Sequence, residues 1–83
     1  MYKYWENEEQ VISTTHKNIL RYYPKAGKLS VARPMWTDDD GNERQGKTVT
    51  FDVDGLLECS SETIRKTRSI LADIMEQIDS ALN

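Results

Sequence analysis

Lys47-Thr48-Val49-Thr50-Phe51-Asp52-Val53 alternates polar and apolar residues from Thr48 onward, which is the period of an extended strand with one face turned to a core. Val49, Phe51 and Val53 share that face. Upstream lies Asp38-Asp39-Asp40-Gly41, residue types that tolerate the backbone conformations of a tight turn. Before the turn, residues 28–36 read as a second strand, with Leu29, Val31 and Met35 alternating toward a core. Pro34 lacks an amide hydrogen and belongs at an edge or a bulge. Residues 28–53 therefore form a hairpin, and an antiparallel sheet grows from it.

Working outward, residues 10–23 are rich in β-branched and aromatic types and supply one or two more strands. Pro24-Lys25-Ala26-Gly27 provides the turn between them and the hairpin. Past Gly55, Leu56-Leu57 could cover a sheet edge, and the character of the chain then changes. Ser60-Ser61-Glu62 offers a hydroxyl cap and an acid for a first helical turn. Residues 61–82 hold no Gly or Pro, and Ile64, Ile70, Leu71, Ile74, Met75, Ile78 and Leu82 recur at three- and four-residue steps. The fold expected is α+β: a small antiparallel sheet of about four strands over residues 10–53, then one long C-terminal helix, as a single domain over residues 1–83. The helix stripe is expected to pack on that sheet, a dimer seam or partner groove being its other use.

A chain of 83 residues removes only ~60–65% of its unfolded surface from water on folding, so pairing with a second copy is a reasonable expectation. Cys59 is the only cysteine, which excludes a disulfide framework. No apolar run suits a signal peptide or a membrane span, and a cytoplasmic location is the default expectation.

The net charge of −3 argues against nucleic acid until the order of charges is considered. Between Val11 and Thr37 stand Lys17, Arg21, Lys25, Lys28 and Arg33 with no Asp or Glu, and Arg44 and Lys47 follow the acidic turn. From Thr48 onward acids dominate. Arg21, Tyr22, Tyr23, Lys25, Lys28, Arg33 and Trp36 interleave cations with rings, the mixture that neutralises a single strand's phosphates while stacking its bases.

Catalytic and metal chemistry find no constellation. His16 is the sole histidine and has no cysteine nearby to complete a zinc site. Cys59 lacks an adjacent base. The acidic turn fails the calcium-loop register, because the sixth position counted from Asp38 is Glu43 rather than glycine. Neither an enzyme activity nor a cofactor is expected.

The stretch Arg33-Pro-Met-Trp36-Thr-Asp38-Asp-Asp-Gly41-Asn-Glu-Arg44-Gln-Gly46-Lys47 resembles the central hairpin of the transcriptional coactivator family called positive cofactor four, or p15. Gly27-Lys28 resembles the opening of that family's preceding strand, and Gly46-Lys47-Thr-Val-Thr-Phe51 the approach to its last one. The likeness spans about residues 27–51. It implies a homodimer paired through the helix stripe (Ile64, Leu71, Ile74, Ile78, Leu82) and a curved sheet that binds single-stranded DNA. Arg33, Trp36, Arg44, Lys47 and Lys28 fall on contact positions, with Trp36 as the stacking platform. The chain departs from the pattern at Ala26, where the family tends to be basic, and at the insertion between Phe51 and Cys59. Arg21, Tyr23 and Lys25 complete the candidate surface from the residue reading. The function expected is a non-catalytic single-stranded DNA- or RNA-binding accessory factor of transcription, replication or repair. It takes no small-molecule substrate and has no membrane partner. The rival is a small protein-interaction adaptor or inhibitor of the phage-borne kind, which binds through the helix stripe or exposed aromatics.

Overall fold

The computed structural model describes all residues 1–83. Its elements in order are α1 (Tyr4–Asn7), β1 (Val11–Thr14), β2 (Ile19–Tyr23), β3 (Lys28–Ala32), β4 (Trp36–Thr37), β5 (Glu43–Arg44), β6 (Thr48–Asp52), α2 (Val53–Leu57) and α3 (Ser61–Leu82). Strands β1-β2-β3-β6 make a four-stranded antiparallel sheet, and β4 and β5 form a separate two-stranded ribbon at the tip of the long hairpin. The α+β class and the strand-then-helix order agree with the sequence reading.

Each turn has a local cause. Gly27 adopts φ 64°, open to glycine at no steric cost, and its amide donates to the Tyr23 carbonyl. Gly41 adopts φ 82°, and its amide donates to the Asp38 carbonyl. Asp38 holds the tip from within: its Oδ1 accepts from the amides of Asp40 and Asn42, and its Oδ2 from Arg44 Nε. In the β1–β2 turn, Thr15 Oγ1 accepts from the amides of Lys17 and Asn18. Ser60 caps α3 by accepting from the Thr63 amide, and Asp52 caps α2 by accepting from the Gly55 amide.

The register sorts the sheet into two unlike faces. Val11 pairs with Tyr22, Tyr22 with Leu29 and Leu29 with Phe51; the next row is Ser13, Leu20, Val31 and Val49. This face is apolar at every position but Ser13. The opposite face carries the rows Ile12-Arg21-Ser30-Thr50 and Thr14-Ile19-Ala32-Thr48, together with Tyr23, Lys28 and Asp52. The only two buried residues, Tyr23 at 4% exposed and Ala32 at 7%, both lie on the second, more polar face.

Here the structure corrects the expected packing. The α3 stripe does not lie on the chain's own sheet. Its sustained neighbour is α2, and Leu71, Ile74, Met75, Ile78 and Leu82 stay exposed while Ile64 is half-buried. On the apolar sheet face Val11, Tyr22, Val49 and Phe51 are exposed as well. The chain extends over 48 × 41 × 23 Å with a radius of gyration of 15.8 Å, against about 12 Å for a compact domain of this length. Its accessible surface is 7254 Å², roughly 2,200 Å² more than the size scaling of compact monomers gives. The segment between β6 and α3 accounts for the separation. It folds as α2 and a short bend, and α3 packs against α2 rather than on the sheet.

Two smaller corrections follow from the same topology. Met35 is exposed and outside the sheet, because β3 ends at Ala32 and the chain stays irregular until Trp36. Val53 leaves the strand to begin α2.

Candidate nucleic-acid interface

Pro34 sits in the break between β3 and β4, and the break decides where the hairpin's side chains point. Strict alternation from Leu29 would put Arg33 and Trp36 on opposite faces. The irregular stretch removes that constraint, and both residues line one cleft of about 280 Å³ together with His16, Lys17, Pro34 and Met35. The β1–β2 turn, ordered by Thr15, thus brings Lys17 and His16 up to the hairpin. The sequence alone gives no sign of this juxtaposition, since β2 and β3 separate both residues from Trp36. Trp36 remains 55% exposed.

Gly46 supports this crossing. A Cβ there would collide with the backbone carbonyl of Arg33, so the returning strand can approach β3 only without a side chain. Beside it the Arg33 amide donates to the Lys47 carbonyl at 2.9 Å, and this bond continues the β3–β6 ladder past its last regular pair. The Lys47 side chain is left exposed.

On the ribbon, Trp36 stands directly opposite Arg44. The Arg44 guanidinium gives Nε to Asp38 Oδ2 at 2.8 Å and keeps most of its surface exposed. Its terminal nitrogens are therefore oriented by one bond and open to a second partner. Backbone donation from Asn42, then the Arg44 contact, holds the Asp38 carboxyl below its ordinary range.

Lys28 is not a free cation. It faces Asp52 across β3 and β6, Nζ to Oδ2 at 2.8 Å, and its hydrogen bond to that carboxylate raises its pKa while lowering that of Asp52. Tyr23 is corrected more firmly. It is buried beneath Tyr4, their rings edge-to-face with centroids 4.9 Å apart, so it cannot offer a face to a base. Lys25 lies exposed in the β2–β3 turn.

Arg21 opens into a second concavity of about 410 Å³ on the polar sheet face. Tyr4, Trp5 and Tyr23 wall it on one side, and Gln10, Ser30, Thr48 and Thr50 complete it. The aromatic wall was not legible as such: the first ten residues show clustered rings but no helical period. A third, apolar trough of about 520 Å³ runs along α3 beside Leu56, bordered by Ile64, Leu71 and Met75 with Glu76 and Asp79 at its rim. The residues expected to form the interface thus divide. Arg33, Trp36, Arg44 and Lys47 gather at the hairpin, Arg21 stands apart on the sheet face, and the helix stripe belongs to a different surface.

No group of His, Cys, Asp and Glu is arranged to hold a metal ion, and no helix is long and apolar enough to cross a membrane. No protein-family model matches the chain, and no characterised protein or solved structure is significantly similar to it.

Proposed function

We propose that this chain is a non-catalytic single-stranded nucleic-acid-binding module acting as a homodimer, in the manner of the coactivator family its hairpin resembles. One observation carries the reading. The chain has 14 acidic residues, yet neither concavity on the sheet side is lined by a carboxylate, and each contains a tryptophan beside at least one cation. Cations answer phosphates and exposed indoles answer bases. The acids stand elsewhere: on α3, in and beside α2, in the amino-terminal segment, at the hairpin tip, and at Asp52, which is paired with Lys28.

The bare apolar surfaces support the dimer. Each chain carries roughly 2,200 Å² more surface than a compact monomer of its size, an amount of the order that obligate homodimers bury. A four-stranded sheet with an uncovered apolar face has little to hold it in water.

The test is an oligothymidine titration of tryptophan fluorescence at rising salt. Quenching that weakens steeply with salt is expected, with weaker binding and loss of the Trp36 contribution in Trp36→Ala. Absence of binding at low salt would overturn the reading. The same bare surfaces support the second reading, a protein-binding adaptor, and a solution mass equal to the monomer's 9.6 kDa would favour it.

A further inference from the structure

We propose that α1 is part of the binding surface, with Trp5 as a second base-stacking platform over the polar sheet face and Arg21 as its phosphate partner. The inference rests on the proposed function and extends it to a segment outside the hairpin.

A four-residue helix is far too short to persist by backbone bonding alone, and Lys3 gives it no side-chain cap. Ring contacts hold it instead. Tyr4 packs edge-on against buried Tyr23 with centroids 4.9 Å apart, and Trp5 packs at 88° to Tyr4 with centroids 5.0 Å apart. The flanks are closed by Tyr2, whose hydroxyl donates to Glu8 Oε2 at 2.6 Å, and by Asn7, whose Nδ2 donates to the Lys3 carbonyl.

The division of labour within α1 points to a ligand. If the segment served only to cover the sheet, its largest apolar side chain would be the one buried. Tyr4 is half-buried and does the anchoring, while Trp5 remains 48% exposed at the groove wall. Below it, Arg21, Ser30 and Thr50 form one lateral row across β2, β3 and β6, about 10 Å long at the usual strand spacing. Arg21 has no carboxylate partner in the fold. The hydroxyls of Ser30, Thr48 and Thr50 can each donate or accept, so they suit the edge of any base. At about 410 Å³ the groove lies in the range of small-ligand sites. Glu6, Glu8 and Glu9 do not line it.

The two tryptophans make the experiment separable. In full-length Trp36→Phe, Trp5 is the sole indole. Titration with a fluorescein-labelled oligothymidine is expected to quench it, with the midpoint given by the label's anisotropy. In Trp5→Ala, affinity at fixed low salt is expected to fall roughly 5- to 150-fold, the loss of one stacked base. Binding reported by the label with Trp5 emission unchanged would overturn the inference and leave the proposed function standing. Tighter binding in Trp5→Ala would also overturn it, since α1 would then be a cover over the groove. No anisotropy change with the unaltered protein would overturn both.

Discussion

Lys28 and Asp52 close the sheet where β3 meets β6: the lysine Nζ lies 2.8 Å from the carboxylate Oδ2, and the same carboxylate caps α2 through the Gly55 amide. One side chain thus ties the last strand to the turn that redirects the chain. Its depressed pKa gives the sign of the pH response. Asp52 and Asp38 contribute stability above their ordinary value of 3.8, and that contribution is lost as pH falls through their lower folded values. Lys28 contributes below 10.5 and loses its share as pH rises through its raised folded value. Thermal melts between pH 6 and 2 are expected to fall mainly below pH 4, in the order wild type, Asp52→Asn, Asp52→Ala. The asparagine retains an acceptor for Gly55, and each step costs a few degrees.

Gly46→Ala is expected to be among the most damaging single changes. The new methyl meets backbone, which cannot rotate aside, so the hairpin must move off β3. A loss on the order of 2 kcal/mol or more is expected. Chemical denaturation would measure it, and oligonucleotide affinity is expected to drop with it because Arg33 and Trp36 lose their common cleft. Unaltered stability in this variant would contradict the observed crossing.

Charge removal at the hairpin should separate cations from rings. For Arg33→Ala and Lys47→Ala, the slope of log affinity against log salt is expected to shrink by about 0.7 per lost phosphate contact. Trp36→Ala is expected to lower affinity by about 1–3 kcal/mol and leave that slope intact. Arg44→Ala should do both less binding and less folding, since it also releases Asp38.

A substitution on the α3 stripe tests the pairing. Leu71→Asp or Ile78→Asp places a charge on a surface that the dimer would bury. Light scattering is expected to show the dimer mass replaced by the monomer's, with a large drop in melting temperature. For the unaltered protein the melting temperature is expected to rise with protein concentration, as mass action requires. Concentration-independent melting at the monomer mass would remove the homodimer.

What could be read in advance was the part governed by near neighbours. The 22-residue span of α3 follows from a run without Gly or Pro, apolar residues at three- and four-residue steps from Ile70 to Leu82 and a serine before it, and β6 from strict alternation. The location of partners could not be read so directly. Alternation at Val49 and Phe51 declares that one face is apolar, but it is equally satisfied by the chain's own helix and by another molecule. At Arg33 and Trp36, counting alone gave opposite faces, and Pro34 made the count irrelevant. Tyr23 looked like a ring available for stacking because Tyr4, 19 positions earlier in the sequence, gives no local sign of lying on top of it. Trp5 gives no local sign either, because the four residues of α1 are too few to show a period.

The hairpin tip has a practical use that follows from how it is held. Asp38 carries the side-chain bonds of the turn and Gly41 its positive φ, whereas the Asp39 side chain makes no hydrogen bond or ion pair. Asp39 is therefore a position for a reporter. With Cys59 first replaced by serine, Asp39→Cys would accept a dye or spin label on the same ribbon as Trp36 while leaving every contact that shapes the ribbon in place.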